Sequence, residues 1–251
     1  TKDLNLKNFE TIKNDYSKIN NIENIKNIII NNLNFKYESS TKDVLKKINV
    51  NIETNKSTGI IGKSGAGKTT LLDIILGLLD PISGTIKIDN QNLIDIKRQW
   101  QKNIGYVSQD IFLSDESVRE NIAFGENKDQ IDKNRLEYAV KLSKINEFVN
   151  DLPNGLDTYI GTNGVRLSGG QRQRIGIARA LYSMPKILVL DEATSSLDIE
   201  TERQVINSIE NLQGKITILI ISHRLSAVEK CDKIIELNEG KIVYEGSNLP
   251  T

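Results

Sequence analysis

A stretch with several glycines, two lysines and two threonines lies in the first third of the chain. It fits the pattern G-x-x-x-x-G-K-[ST], which is typical of loops that bind phosphate. Glycines let successive backbone N–H groups point at one anion, and the start of a following helix adds a positive dipole end. Lys68 offers a positive charge to the outer phosphates, and the Thr69 hydroxyl is a ligand for Mg²⁺. The alternative is a connector rich in Gly and Ser that happens to precede a helix. The stretch, which we name the phosphate loop, comprises Gly62, Lys63, Ser64, Gly65, Ala66, Gly67, Lys68, Thr69 and Thr70.

Two adjacent acids follow an apolar stretch in the C-terminal half of the chain. Residues 186–190 predict a strand, and Asp191 and Glu192 come directly after it. We expect this strand to lie beside the strand at 57–61 that leads into the phosphate loop. Asp191 would then hold the water shell of a metal ion, and Glu192 would take a proton from an attacking water. Apolar strands often end in an acid because strand ends meet solvent, so this hydrolytic interpretation depends on the phosphate loop.

A serine and two glycines precede a second helical pattern. The letters LSGGQ occupy residues 167–171, and the tract after them, 172–181, has helical spacing. The serine is a good N-cap, and the glycines at the helix start make a second place that suits a phosphate. The residues of this motif that we predict to contact a nucleotide are Ser168, Gly169, Gly170 and Gln171.

With the LSGGQ motif the sequence closely resembles the ATP-binding domain of an ABC transporter, from about residue 28 to residue 246. The resemblance implies ATP and Mg²⁺ as cofactors. It places Tyr37 against the adenine and Gln109 in the glutamine loop, where it acts in catalysis and as a metal ligand. It also places Asp198 in the loop after the catalytic glutamate and makes His223 the switch histidine. Lys68 is catalytic as well, because with Mg²⁺ it neutralises developing charge.

Three of these residues have plainer interpretations when taken alone. Tyr37 is also consistent with an ordinary aromatic residue on a half-buried strand, and Gln109 with a surface residue. His223, the only histidine of the chain, is also consistent with a surface or capping residue. It follows the apolar stretch 216–221, however, which we expect to end at the same sheet edge as Glu192. Ligands of open α/β sheets bind beyond the carboxyl ends of the strands, which favours a functional histidine.

Helix and strand patterns alternate along most of the chain. They predict an α/β fold of the phosphate-loop NTPase type, with a mostly parallel sheet, an antiparallel β subdomain and a helical subdomain at about 114–178. The ATP-binding domain is expected at residues 27–251. For residues 1–26 two interpretations remain open. The segment is a linker or the end of a preceding transmembrane helix, or it is a disordered tail. The predicted strands lie within 27–53 and at 57–61, 84–89, 104–108, 186–190, 215–222, 232–237 and 241–244. The predicted helices lie at 70–79, 93–102, 171–182 and 198–212 and within 117–150.

Composition agrees with one cytosolic domain. The 251 residues carry 33 Lys and Arg against 33 Asp and Glu, a balance that gives no support for nucleic acid as a partner. A single cysteine, Cys231, excludes an intramolecular disulfide and fits a reducing compartment. The longest apolar stretches, 71–79 and 216–221, fall short of the roughly 20 residues of a spanning helix. Together with the ABC transporter resemblance, which implies a membrane-embedded parent protein, this leads us to expect a soluble part of a membrane protein, located at the cytoplasmic face of the cell membrane.

The tract at 110–122 resembles exporter-type ABC domains, as do residues 152–158 and 164–166. The run 164–182 is similar to bacterial flippases of lipid-linked oligosaccharides. Exporters carry their transmembrane domain ahead of the ATPase on one polypeptide, so that domain is an expected partner. Thr162 departs from the resemblance, because exporters usually have an acidic residue there, in a loop that communicates with the membrane domain.

The same resemblance implies a second ATP-binding domain as partner, in a head-to-tail homodimer formed with ATP. Ser168 and Gly170 of one copy then contact the γ-phosphate held by the other, while His223 steadies that phosphate. Two alternatives are a soluble ABC ATPase of DNA repair or translation and an importer ATPase made as a separate subunit. The absence of a heptad tract between the phosphate loop and Asp191, and the presence of one such domain only, disfavour the first. The tract at 112–122 disfavours the second.

Overall fold

The computed structural model describes residues 25–193 and 216–250, together with residues 198, 200, 202, 203, 206 and 207. The segment predicted as linker or helix end lies almost wholly outside the described residues, and so does most of the predicted helix at 198–212. The strands are β1 (Asn27–Phe35), β2 (Leu45–Glu53), β3 (Ser57–Ile61), β4 (Ser83–Ile88), β5 (Gln91–Asn92), β6 (Ile104–Val107), β7 (Ile187–Asp191), β8 (Thr217–Ile221), β9 (Lys233–Asn238) and β10 (Lys241–Gly246). The α-helices are α1 (Lys68–Ile75), α2 (Leu93–Gln101), α3 (Val118–Ile122), α4 (Lys133–Leu142), α5 (Asn146–Val149) and α6 (Gly169–Tyr182).

A six-stranded sheet forms the centre of the described chain, in the order β10-β9-β3-β8-β7-β6. Its strands from β9 to β6 run parallel, and β10 pairs antiparallel with β9 in a hairpin. Every residue of β3, β7 and β8 is buried, as expected for parallel strands that are covered on both faces. Because side chains alternate along a strand, each strand of this sheet contributes to two separate cores.

The expectation that β7 lies beside β3 is wrong, because β8 lies between them and pairs with both. Thr58 is level with Leu219 of β8, which in turn is level with Val189 of β7. The error has a physical cause. The three strands are equally short, apolar and buried, so their sequences contain nothing that would order them. Two strand spacings, about 10 Å, therefore separate the strand before the phosphate loop from the strand that ends in Asp191.

Two hydrophobic cores cover the opposite faces of the large sheet. On one face, Val189 belongs to a core that includes α1, α2 and a four-stranded antiparallel sheet of order β2-β1-β4-β5. On the other face, Leu188 and Leu190 pack with residues of α3, α4 and α6. This arrangement places α1 and the antiparallel sheet on one side and the helical residues on the other. The boundaries predicted for the helical subdomain stay a prediction.

The helix after the phosphate loop starts earlier and ends earlier than its pattern predicts. It begins at Lys68, inside the motif, and ends at Ile75 rather than near residue 79. Gly77 adopts φ +70°, and the N–H groups of Leu78 and Leu79 donate to the carbonyl of Asp73. The apolar spacing continues past the helix because Leu76 is buried and Leu79 packs against the core, although Leu78 is exposed. The pattern alone does not distinguish such a segment from helix.

Candidate active site

Glycines shape the phosphate loop between the end of β3 and the start of α1. Gly62 has φ +143°, and a Cβ there would lie 2.2 Å from the carbonyl oxygen of Leu237. Gly67, the N-cap of α1, has φ +102°, and its Cβ would lie 2.8 Å from Leu45. A side chain at either position would collide with its surroundings. No side chain caps α1, so the N–H groups of its first turn are available to an anion.

Lys68 lies folded back over the phosphate loop. Its Nζ donates to the carbonyl oxygens of Gly62, at 2.8 Å, and Lys63, at 3.1 Å, and the residue is buried.

The open side of the phosphate loop is at Gly65, where an added Cβ would meet no heavy atom within 4 Å. Thr69 is exposed in the first turn of α1, where a metal ion can reach its hydroxyl, whereas Thr70 is buried. Lys63 and Ser64 are exposed and Ala66 is buried.

The acids and the histidine emerge at the same edge of the sheet as the phosphate loop. Asp191 of β7 is level with Ile221 of β8, which is level with Ile60 of β3. These strands are parallel, so the residues after them meet at one edge. The side chain of Glu192 lies next to that of His223, with 3.3 Å between Oε1 and Nδ1. The expected shared edge for these two residues is therefore confirmed.

Backbone contacts hold this pair in place. Glu192 has φ +50°, and its N–H donates to the carbonyl of Ile221 at 2.9 Å. On the other strand, the buried Ser222 accepts a hydrogen bond from the N–H of Arg224 through its hydroxyl, at 2.9 Å. That turn brackets His223, whose side chain is more than half exposed. The Glu192 carboxylate and the His223 imidazole thus lie side by side at the sheet edge that also carries the phosphate loop.

Asp191 is the buried carboxylate of the site, with 9% of its surface exposed. Burial raises the pKa of Asp191 above its ordinary value, and the negative charges of Glu192 and Asp73 add to this effect. A hydrogen bond from the Tyr106 hydroxyl, 3.2 Å from Oδ2, and the charge of Lys68 act in the opposite direction. Burial also raises the pKa of Tyr106.

The sequence reasoning did not single out Tyr106 or Asp73. Tyr106 lies on β6, three residues before Gln109, and a strand aromatic there is the only signal that the sequence holds. Gln109 itself is exposed and follows β6, which pairs in parallel with β7 and brings Val107 level with Leu190. Gln109 therefore emerges at the same sheet edge as Asp191.

Tyr37 lies in the turn after β1 rather than on a strand, so the plainer interpretation as a strand aromatic is wrong. Its ring meets that of Phe35 edge to face, with 4.9 Å between centroids, and its hydroxyl lies 3.1 Å from Thr70 Oγ1. With 41% of its surface exposed, the ring offers a free face beside the phosphate loop. Asp198 is exposed, but the residues beside it lie outside the described part of the chain.

The residues of the LSGGQ motif lie at the start of α6, apart from the phosphate loop. Ser168 caps α6 in a reciprocal arrangement, in which its N–H donates to Gln171 Oε1 at 2.9 Å and its Oγ accepts from the Gln171 N–H at 3.2 Å. Gly169 and Gly170 open the helix and are partly exposed. Among the described residues, no hydrogen bond or ion pair joins 168–171 to the phosphate loop. Helix α6 packs on β6, three strand spacings or about 14 Å from β3.

Comparisons with known proteins identify the family. Residues 45–195 match the family model described as ABC transporter. The chain belongs to the ABC transporter family. ATP hydrolysis is the general activity of that family, and this ABC domain is of the kind that binds ATP.

Similar proteins are much longer than this chain. The ATP-dependent lipid A-core flippase of Coxiella burnetii is 44% identical over 217 residues, which cover 86% of this chain and 37% of the flippase. ABC transporter B family member 17 of Arabidopsis thaliana is 41% identical over 219 residues, 86% of this chain and 18% of that protein. The chain thus spans under two fifths of the flippases it matches.

A solved structure confirms the predicted fold class. A bacterial Atm1-family ABC exporter with ATP bound superposes with a TM-score of 0.83 and 32% identity, over 90% of this chain and 40% of that one. The ABC domain therefore has the ABC ATPase fold. In the part of the chain that the structure describes, no helix has the length and hydrophobicity to cross a membrane.

The ABC domain's oxygen donors fit a magnesium ion. Thr69 offers a hydroxyl, Asp191 a carboxylate and Gln109 an amide oxygen, and Mg²⁺ prefers such ligands together with waters and substrate phosphates. Within the described residues, no group of three or more His, Cys, Asp and Glu side chains forms a metal cluster. This donor set suits an ion that is shared with a nucleotide. Thr162, the departure from exporters, is exposed at the start of a short 3₁₀ turn, Thr162–Gly164.

Proposed function

We propose that this chain is the ATP-hydrolysing domain of an ABC exporter or flippase and that it drives transport across a membrane. The observation that carries the proposal is the Glu192–His223 pair, 3.3 Å apart, at the sheet edge where the phosphate loop and Asp191 also lie. A phosphate-binding loop, a carboxylate for the metal and a general base are thereby assembled at one place. The names of the flippase and exporter relatives support the transport role.

Each residue has a separate task in the proposed reaction. The N–H groups of residues 65–69 and the Lys68 ammonium bind the β- and γ-phosphates, while Tyr37 stacks on the adenine.

Glu192 accepts the proton of a water whose oxygen bonds to the γ-phosphorus, and the bond from that phosphorus to the β-phosphate oxygen breaks to release ADP. His223 donates to the γ-phosphate. Mg²⁺, held by Thr69, Asp191 and Gln109, would supply charge neutralisation across the β- and γ-phosphates.

The proposed partners follow from the position of α6. Because Ser168 and Gly170 begin a helix that packs on β6, three strands away from β3, we propose that they contact the γ-phosphate bound by a second copy, arranged head to tail. A transmembrane domain of the same transporter is the other proposed partner, which would place this chain at the cytoplasmic face of the cell membrane. Closure of the pair on ATP and its opening after hydrolysis would drive that domain.

Substitution of Glu192 by Gln tests the proposal. The amide keeps the shape of the side chain but accepts no proton, so we expect ATP to bind as before while turnover falls by about 10²-fold or more. With Mg²⁺ and ATP the variant should accumulate as a dimer, because the step that opens the pair is blocked. Phosphate release and particle mass are measured side by side.

Glu137→Gln is the matched control. Glu137 is an exposed glutamate of α4 with no task in the proposed reaction, so its variant should keep the wild-type rate and stay monomeric after turnover. Wild-type turnover in the Glu192→Gln variant would overturn the assignment of the general base.

A further inference from the structure

Tyr106 joins two strands of the active-site edge through its hydroxyl. Tyr106 of β6 is level with Val189 of β7, and Asp191 lies two residues further along β7, on the same face. The Tyr106 hydroxyl donates to Asp191 Oδ2 at 3.2 Å. The register of the two strands therefore places this phenol beside the carboxylate, and the contact does not depend on a loop.

The Asp191 carboxylate needs such a donor. Burial removes it from water, and the charges of Glu192 and Asp73 act against its own charge. Lys68 is nearby, but two of its three donors are used by the carbonyls of Gly62 and Lys63. A neutral phenol satisfies one oxygen of the carboxylate without cancelling the negative charge that a cation requires. It also leaves the other carboxylate oxygen of Asp191, Oδ1, to face the metal ion.

The tyrosine also connects two proposed metal ligands. Strand β6, which carries Tyr106, continues after Val107 into the loop of Gln109, and β7 ends in Asp191. A movement of one strand end relative to the other would strain the hydrogen bond. Partners of this kind orient metal ligands, and their loss typically weakens metal affinity by about 10- to 100-fold.

We propose that Tyr106 is a positioning residue for the metal: its hydroxyl orients the Asp191 carboxylate toward Mg²⁺ and couples it to the strand that carries Gln109. The inference rests on the proposed function, since it assumes that Asp191 serves a magnesium ion shared with ATP. In this role Tyr106 acts through Asp191 and not by contact with the metal or the nucleotide.

Nucleotide binding with and without Mg²⁺ tests the inference. The non-hydrolysable analogue AMP-PNP is titrated into the chain in EDTA and again in saturating Mg²⁺, and the ratio of the two affinities measures the metal's contribution. Tyr106→Phe keeps the ring and removes the hydroxyl. We expect its affinity in EDTA to stay within about twofold of wild type and its affinity in Mg²⁺ to fall about tenfold.

Two further variants make the outcome specific. Tyr159→Phe removes the hydroxyl of an exposed tyrosine away from the site, and both of its affinities should equal those of wild type. Asp191→Asn removes the charge that Tyr106 orients, so adding Tyr106→Phe to it should change nothing further. A thermal unfolding curve verifies that each variant is folded.

The outcomes separate the inference from the proposed function. If wild type binds AMP-PNP equally well with and without Mg²⁺, the proposed function fails. If wild type shows the Mg²⁺ preference and Tyr106→Phe retains it, only the inference fails. A loss of equal size in EDTA and in Mg²⁺, or a full effect of Tyr106→Phe within Asp191→Asn, would also overturn it, because the phenol would then be acting on something other than the metal ligand.

Discussion

At the scale of single residues, Tyr37 combines two contacts that serve different ends. Its hydroxyl lies beside Thr70 in the first turn of α1, and its ring is supported edge to face by Phe35. The first contact ties the turn after β1 to the phosphate loop, whereas the second fixes the angle of the ring. An adenine that stacks on the exposed face would therefore meet a ring whose position is already set.

Replacement of Tyr37 distinguishes the ring from the hydroxyl. Tyr37→Ala should weaken ATP binding between about twofold and about tenfold, because an aromatic contact contributes about 0.5–1.5 kcal/mol beyond area burial. Tyr37→Phe and Tyr37→Trp should bind ATP within about twofold of wild type, since each keeps a ring. Equilibrium titrations with ATP and with GTP measure this, and Tyr159→Ala is the control on an exposed tyrosine elsewhere. Unchanged ATP affinity in Tyr37→Ala would show that the ring has only a structural role.

The spacing of residues in a sequence predicts a site when the residues that form the site lie close together in the chain. The phosphate loop was predictable because one short segment contains the glycines, Lys68 and Thr69. The Glu192–His223 pair was predictable only as a shared edge, since the distance between the side chains depends on the order of β7 and β8. Tyr106 was not predictable, because its hydrogen bond to Asp191 arises from the register between two strands that are far apart in sequence.

At the scale of elements, α6 has a start that is capped by its own side chains and that we propose also contacts a phosphate. The reciprocal bonds between Ser168 and Gln171 satisfy donors that the first turn would otherwise leave unpaired. Gly169 and Gly170 add little side-chain bulk, so the helix start remains accessible. The serine cap of α6 was identified correctly from the sequence. The order of β3, β8 and β7 was not, because equally short apolar strands are interchangeable as patterns.

Two substitutions of Ser168 separate the cap from the proposed phosphate contact. Ser168→Ala removes the cap and should lower stability by about 1 kcal/mol, which corresponds to about 2–4 °C in the unfolding midpoint of a domain of this size. Ser168→Asp keeps a good cap, so its midpoint should equal that of wild type. Its negative charge repels a phosphate, however, so ATP-dependent dimer formation and turnover should be lost.

Thermal unfolding and phosphate release are measured on the same preparations of the two Ser168 variants. An active Ser168→Asp variant would show that no phosphate approaches this helix start. A fall in its midpoint as large as that of Ser168→Ala would mean that the aspartate does not act as a cap.

At the scale of the whole molecule, the large sheet separates two helix starts, those of α1 and α6. Helix α1 follows β3 in the middle of the sheet, whereas α6 packs on β6 at one end. Within one chain the two starts are held apart by strands that are buried on both faces and cannot slide past each other. We propose that a phosphate in contact with both starts requires a second molecule, so hydrolysis should depend on how often two chains meet.

The ATPase rate should accordingly rise more steeply than linearly with the concentration of this chain, because no membrane domain holds two copies together.

A mixture of two inactive variants tests the geometry. Lys68→Ala damages the phosphate loop and Ser168→Arg blocks the start of α6. In a head-to-tail pair of one chain of each kind, one site carries both lesions and the other carries neither. With random pairing, about a quarter of the wild-type activity should return on mixing, since half of the pairs are mixed and each has one intact site. Each variant mixed with itself is the control. A rate proportional to concentration, together with a mixture as inactive as its components, would show that each chain completes its own site.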